Sequence, residues 1–144
     1  MKKIFLALAA IAAFSVFSAR AQEQPSSPED QEKKLLEYID KEVERLSSIL
    51  DLEYWQEFYV DSTLNNNLHA MQKELMELQA AKVTNADMYS AAQDRWMEST
   101  YNAFNKFLTP EQWEKYLKNG AAREKKARDK RAQKAAKASE KLRK

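Results

Sequence analysis

The sequence predicts an all-α fold built from a few long helices. From Glu29 to Thr109 the chain contains neither glycine nor proline, an interval of 81 residues. These two residue types supply most of the backbone geometry of tight turns, so their absence argues against a hairpin-rich β protein. Apolar residues in the same interval recur at steps of three and four, which is typical of helices with one buried face.

The first helix is predicted to begin in the segment Ser27-Pro28-Glu29-Asp30. Serine is a favourable N-cap, proline fits the first helical position, and the acids face the positive end of the helix dipole. The apolar residues that follow form one stripe of about four turns. They are Leu36, Ile39, Val43, Leu46 and Leu50.

A second helix is predicted beyond a break near Asp51. Its apolar residues have the spacing of a helix that packs against another helix, as in a coiled coil. They are Leu64, Leu68, Met71, Leu75 and Leu78.

The segment Ile49–Val60 is apolar on all sides, whereas a surface helix keeps a polar face. Its aromatic and β-branched residues also suit a strand. Helix signals on both sides and the lack of a pairing strand favour a helix. Such a helix is either covered by other helices or offers its surface to a client or a second subunit.

The third helix is predicted to begin at Thr84–Asp87 and to end at Leu108. Thr109-Pro110-Glu111-Gln112 then combines a threonine N-cap, a proline at the first helical position and a glutamine that reaches back to the cap. A short fourth helix should follow and end at Gly120. The apolar residues of the third helix are Met88, Ala92, Trp96, Ala103, Phe104 and Phe107, and those of the fourth are Trp113, Tyr116 and Leu117.

The N-terminal residues predict secretion. Lys2 and Lys3 precede an apolar run, and Ala19-Arg20-Ala21 matches an A-x-A cleavage site. We therefore expect a cleavable signal peptide at 1–21, a polar lead-in at 22–27, and a periplasmic protein. With no cysteine in the chain, stability must come from packing or self-association.

The charges are unevenly distributed along the chain. Residues 121–144 hold 11 Lys/Arg and 3 Asp/Glu, a net charge of +8, while residues 22–120 carry a net charge of −9. We expect this Ala/Lys-rich tail to be a partly helical, solvated extension that contributes no core. It either folds back on the acidic body or binds an external anion, namely anionic lipid or polysaccharide; no nucleic acid is expected outside the cytoplasm. The candidate anion-binding residues are Lys125, Lys126, Arg128, Lys130 and Arg131.

The sequence offers little for catalysis. Its only imidazole is His69, there is no cysteine, and a Gly-rich phosphate loop is excluded by the single glycine. A structural zinc site would need four Cys/His ligands. We expect a protein that is not an enzyme, with no catalytic residue, no metal site and no cofactor, and with His69 as an ordinary helix-surface residue.

Two pentapeptides at predicted helix junctions carry a family resemblance. Leu108–Gln112 fits the pattern L-T-x-x-Q, and Leu52–Gln56 fits it with Glu53 in place of threonine. The chain thereby resembles the Spy/CpxP-like LTxxQ family of periplasmic proteins. The predicted motif and cap residues are Leu52, Gln56, Leu108, Thr109 and Gln112.

The resemblance implies a subunit that is a four-helix bent hairpin, an antiparallel homodimer shaped as a thin curved cradle, and ATP-independent chaperone or envelope-stress work. It spans roughly Leu35 to Leu117, within a predicted helical domain of residues 28–120, and leaves the basic tail uncovered. Glu53 removes the hydroxyl cap from the first motif, where Asp51 is an alternative cap. The histidine-rich segments of metal-binding relatives are absent, so metal sensing is not implied.

Residues 28–120 contain 32 large apolar residues, more than a thin helical hairpin can cover. The surplus predicts an exposed patch that serves clients or a dimer interface, and methionines suit such a surface because they repack around different shapes. The candidates are Trp55, Phe58, Tyr59, Met71, Leu75, Met76, Met88, Trp96 and Met97.

Four functions fit these observations to different degrees. The first is a periplasmic holdase that shields unfolded envelope proteins through an apolar helical face. The second is an adaptor or regulator that binds one folded partner, and the third is an envelope-associated structural protein tethered by the tail. The fourth, a chaperone resembling Skp, requires a β-rich assembly core for which the sequence shows no convincing strands.

Overall fold

The computed structural model describes residues 27–143, and all regular structure in that range is helical, with no strand. The predicted all-α class is confirmed. The predicted signal peptide lies outside the described residues, as does most of the lead-in. The helices are α1 Pro28–Leu50, α2 Tyr54–Ala80, α3 Ala86–Phe107, α4 Pro110–Tyr116 and α5 Ala122–Lys141.

The chain divides into two units after Gln31. The described part of the first unit, residues 27–31, is the predicted N-terminus of α1. The Ser27 hydroxyl accepts a hydrogen bond from the Asp30 backbone N–H at 3.1 Å and donates one to the Asp30 carboxylate at 2.9 Å. This side-chain exchange satisfies a backbone donor that the first helical turn leaves without a partner, as expected for an N-cap serine.

In the second unit, α1, α2 and α3 pack around one apolar core. The five residues of the predicted stripe on α1 divide into three that are buried, Val43, which is partly buried, and Leu36, which is exposed. Helical spacing therefore located the buried face of α1 and overextended it by one residue. The buried core consists of Ile39, Leu46, Leu50, Val60, Leu64, Leu68, Met71, Leu75, Ala92, Phe104 and Leu108.

Polar contacts fix the antiparallel pairing of α2 with α3. The buried Asn67 side chain donates to the Thr100 hydroxyl at 3.0 Å and to the Ser99 hydroxyl at 3.2 Å. Two turns further along α2, the Glu74 carboxylate accepts from the Trp96 indole N–H at 2.7 Å and pairs with Arg95. These bonds lower the pKa of Glu74, first through the Arg95 contact. Because a buried amide needs its partners, Asn67 favours one register of the two helices.

The basic tail continues the fold. Gly120, at φ 117° and ψ −23°, takes a left-handed conformation that glycine adopts without steric cost, and the chain then enters α5. The expectation of a tail that contributes no core was wrong, because Ala121 and Arg128 are buried. Across the described range, no helix is both long and apolar enough to cross a membrane.

Candidate functional site

The two L-x-x-x-Q motifs meet in space. Turn 1, Asp51–Glu53, joins α1 to α2, and turn 2, Leu108–Thr109, joins α3 to α4. Gln56 and Gln112 follow these turns at equivalent positions, and both are buried. The Gln56 amide donates to Gln112 Oε1 at 2.8 Å, and the Gln112 amide donates to Gln56 Oε1 at 2.9 Å. The turns are thus joined by a reciprocal pair of amide hydrogen bonds.

Each glutamine also ties down the backbone of its own turn and of the other. Gln56 Oε1 accepts from the Glu53 backbone N–H at 3.0 Å, and its amide donates to the Phe107 carbonyl at 3.2 Å. Gln112 Oε1 accepts from the Thr109 N–H at 3.0 Å, and its amide donates to the Asp51 carbonyl at 3.4 Å. Every donor and acceptor of both side-chain amides is therefore used.

The pattern relates two segments that lie 56 residues apart in the sequence. The equivalent pairs are Asp51 and Phe107, Glu53 and Thr109, and Gln56 and Gln112. The L-x-x-x-Q repeat was visible in the sequence as two motifs, but their contact was not predicted. The signal in the sequence that could have predicted this contact was the glutamine at the same position of both motifs. Once buried, each glutamine side chain needs a hydrogen-bond partner.

The two turns use different N-cap residues, although each forms a capping box. Thr109 is the N-cap of α4, as predicted: its hydroxyl accepts from the Gln112 backbone N–H at 3.3 Å, which completes a capping box. At turn 1 the N-cap is Glu53, so the alternative of Asp51 was wrong. Asp51 instead takes a left-handed backbone conformation, φ 51°, and its carboxylate binds Lys115 at 3.1 Å. Leu52 and Leu108 pack against the core beside these caps.

The first turns of α2 carry an exposed aromatic surface. We call Trp55, Phe58, Tyr59 and Phe107 the outer aromatic cluster. Tyr59 contacts the other three rings at centroid distances of 5.7–6.0 Å, and Trp55 meets Phe107 at 6.4 Å. Most of these contacts are edge-to-face, the arrangement that aromatic quadrupoles favour. The rings therefore pack against one another, while those on α2 remain exposed to solvent.

A groove of about 550 Å³ runs along this cluster between α2 and α3. Trp55, Tyr59 and Phe107 form its apolar wall, and Lys106 adds a cation at its edge. The remaining lining residues are Thr63 and Ala103. The sequence placed Phe107 on the apolar side of the third helix, and in the structure it is partly buried against the core and also lines the groove.

The other predicted surface residues have different environments. Met71 and Leu75 belong to the core of the chain itself, so their assignment to a client or dimer surface was wrong. They belong to the same core cluster as apolar residues of α1 and α3, where burial of the apolar side chain dominates. Met76 and Met88 are exposed, while Trp96 and Met97 are half-buried against the core.

The five candidate residues of the basic tail divide into two groups. Lys125 and Arg128 both bind Glu98, at 3.3 and 3.1 Å, and Arg131 forms a two-bond ion pair with Asp94. These three cations face α3, and we call them the clamp. Lys126 and Lys130 are exposed on α5 and take part in none of the ion pairs found among residues 27–143. Arg128 is buried, so its assignment as an anion-binding residue was wrong.

Under α5 lies a second group of rings, the inner aromatic cluster, formed by Tyr101, Phe104, Trp113 and Tyr116. Centroid distances within it include 4.8 Å for Tyr101 to Trp113 and 5.5 Å for Phe104 to Tyr116. The Arg128 guanidinium lies 5.5 Å from the Tyr101 ring centroid, within the range of a cation–π contact. Burial raises the pKa of Tyr116 and, on the first turn of α5, that of Glu124.

His69 links α1 to α2. Its Nε2 lies 2.9 Å from the Glu32 carboxylate, and its Nδ1 lies 2.7 Å from the Asn65 carbonyl. The Glu32 contact is the main reason that the pKa of His69 is raised above 6.5. Among residues 27–143, no group of three or more His, Cys, Asp or Glu side chains is arranged to hold a metal ion.

The sequence matches no family model, no curated protein and no solved structure.

Proposed function

We propose that this protein is a periplasmic, ATP-independent holdase that binds unfolded proteins through the outer aromatic cluster. The observation that carries the proposal is the exposure of four aromatic residues at the start of α2, namely Tyr54 and the three members of the outer aromatic cluster that lie on this helix. Tyr54 is 88% exposed, Phe58 64%, Tyr59 52% and Trp55 46%. Soluble proteins seldom leave so many large apolar side chains together in water unless they form an interface.

The chemistry of the cluster suits unfolded chains. Its rings offer broad apolar surface with few rotatable bonds, so that binding costs little side-chain entropy. The groove beside them accepts an aliphatic or aromatic side chain, while Lys106 and the Tyr59 hydroxyl provide polar contacts at the edge. Because the contacts are apolar and shallow, they discriminate weakly between sequences, as a holdase requires.

The buried glutamine pair also supports the proposal, because it fixes the helix that carries the exposed rings. It holds the beginnings of α2 and α4 together through buried amides, so that the exposed rings stand on a fixed scaffold. Apolar residues on a flexible segment would instead collapse onto the core. A rigid support keeps the aromatic surface available before a client arrives.

The resemblance to the Spy/CpxP-like LTxxQ family is part of the proposal, together with its bent-hairpin subunit and antiparallel homodimer. Both motifs lie at helix junctions, and Thr109 is an N-cap. The signal peptide expected at 1–21 would deliver the protein to the periplasm, where a chaperone has no ATP to use.

The test is suppression of aggregation without ATP, using residues 22–144 and several unrelated unfolded proteins. The wild-type protein should keep each client soluble. A variant with Trp55→Ala, Phe58→Ala and Tyr59→Ala should lose most of this activity. The matched control carries Leu36→Ala and Leu142→Ala, which remove exposed apolar side chains elsewhere, and should retain it.

Three results would contradict the proposal. They are failure of the wild-type protein on all clients, full activity of the aromatic variant, and equal losses in the variant and its control. Binding of one folded partner without general suppression would indicate the adaptor function instead. Sedimentation of the same variants separates a client face from a dimer seam, because only loss of a seam yields monomers.

A further inference from the structure

A straight row of cations runs along the outer side of α5. Its members recur at steps of three and four, which places them within an arc of about 80° and over a length of about 27 Å on an α-helix. They are Arg123, Lys126, Lys130, Lys134, Lys137 and Lys141. We call this row the lysine stripe.

The clamp determines where the stripe points. Lys125, Arg128 and Arg131 bind acids of α3, so the opposite side of α5 faces solvent. All six cations of the stripe are exposed, and none takes part in the ion pairs found in the described part of the chain. The tail thus uses some of its cations to dock on the body and leaves the others as a separate, uncompensated row.

We propose that the lysine stripe binds the surface of a bilayer that contains anionic phospholipids. A straight helix with its charges in one line can place all of them on a plane at once. Lysine is a compact point charge that suits mobile headgroups, whereas bidentate phosphate recognition favours arginine. This inference does not depend on the proposed holdase function, because it concerns a different helix and a different face.

The composition of the tail argues against nucleic acid, and the charge of the body determines the orientation on a bilayer. Residues 121–144 contain no aromatic side chain, so the tail offers no ring on which a nucleobase can stack. The body, with a net charge of −9 for residues 22–120, is repelled by an anionic surface. A bound molecule would therefore contact the bilayer along α5 and keep its acidic body away from it.

The experiment is vesicle co-sedimentation of residues 22–144 at about 50 mM salt, where charge screening is weak. One vesicle is a mixture of phosphatidylglycerol and phosphatidylcholine, and the other is phosphatidylcholine alone. The test variant replaces Lys130, Lys134, Lys137 and Lys141 by glutamine, which preserves helix propensity. Removal of residues 121–144 is unsuitable, because it would uncover the inner aromatic cluster.

The matched control loses the same charge elsewhere, through Lys33→Gln, Lys34→Gln, Lys41→Gln and Lys73→Gln. These four lysines are exposed on α1 and α2. Each lysine near an anionic bilayer contributes roughly fivefold to binding, so the stripe variant should bind the anionic vesicles at least about 20-fold more weakly even if only two of its four lysines contact the surface at once. The control should retain most of the binding, and the wild-type protein should leave the vesicles at high salt.

The proposal is overturned if the wild-type protein does not bind anionic vesicles or binds neutral ones equally well. It is also overturned if the stripe variant binds like wild type, or if the control loses as much binding. If vesicles do not bind but a soluble anionic polysaccharide does, the partner is that polymer and the bilayer assignment is wrong. If only self-association depends on the stripe, its partner is the acidic body of a second copy. Circular dichroism of both variants should show unchanged helix content.

Discussion

Turn 1 and turn 2 have the same hydrogen-bonding pattern but expose side chains of different chemistry to solvent. Gln56 and Gln112 are buried at equivalent positions, and residues 53–58 have the same pattern of buried and exposed side chains as residues 109–114. The exposed positions differ in chemistry. Trp55, Phe58 and Tyr59 on α2 correspond, 56 residues later, to Glu111, Glu114 and Lys115 on α4.

This difference shows that the fold does not require aromatic residues at turn 1. On α4 the same positions carry charges, and Lys115 binds both Asp51 at 3.1 Å and Glu111 at 3.5 Å. Charged residues are the ordinary occupants of exposed helix positions. On the proposed function, the aromatic residues at the equivalent positions of α2 bind a client rather than support the fold.

The largest expected effect comes from giving turn 1 the surface of turn 2. A variant with Trp55→Glu, Phe58→Glu and Tyr59→Lys should lose holdase activity about tenfold or more, because it removes the apolar contact area. Its free energy of unfolding should change by about 1 kcal/mol or less, since the replaced positions are exposed. Aggregation assays and chemical denaturation measure the two effects.

A large loss of stability in this variant would contradict the comparison, because it would make the rings part of the scaffold. Conversion to a monomer with full activity would assign the outer aromatic cluster to a dimer seam. The control introduces charges of both signs at exposed polar positions of α3, through Asn102→Glu and Asn105→Lys.

The second prediction concerns the element that the two turns share. Gln112→Ala should lower the free energy of unfolding by about 2 kcal/mol, because it leaves the buried Gln56 amide without its main partner. Chemical denaturation of the variant checks this value. The control is Gln79→Ala, which truncates an exposed glutamine and should have almost no effect. Equal small effects in both variants would mean that the amide pair contributes little to stability.

The sequence predicted the helices better than it predicted their surfaces. Spacing of apolar residues and cap residues located α1 to α4, since these signals are local. It could not separate Met71, which is buried, from Met76, which is exposed, because both lie on one helix and burial depends on the neighbouring helix. Nor could it show that Arg128 binds Glu98, a contact that spans 30 residues.

The third prediction concerns the N-cap residue of turn 2. Thr109→Ala should destabilise the protein by about 1 kcal/mol, because its hydroxyl accepts from a backbone N–H at the start of α4. Thermal unfolding should show a lower midpoint. Thr84→Ala is the control, since Thr84 is exposed and caps no helix in the described structure. An unchanged midpoint for Thr109→Ala would mean that helix capping by Thr109 does not explain the threonine in the motif Leu108–Gln112.

The smallest expected effect on stability concerns the contact between His69 and Glu32. This contact joins α1 to α2 at the end of the pair that lies away from turn 1. The raised pKa of His69 means that the folded state favours the protonated imidazole. The contribution to stability is therefore complete below pH 6.5, the ordinary pKa, and is lost as the pH rises through the raised value.

The effect of His69→Gln on the free energy of unfolding should thus be larger at about pH 5.5 than at about pH 8.5. Because the pair is partly exposed, this difference should be smaller than the effect of Thr109→Ala. Denaturation of both proteins at the two pH values measures it, and Glu32→Gln should remove the pH dependence in the same way. If the difference is absent or has the opposite sign, the two helices are held at this end by apolar packing alone. The contact between His69 and Glu32 would then make no measurable contribution to the free energy of unfolding, in contrast to the glutamine pair at turn 1.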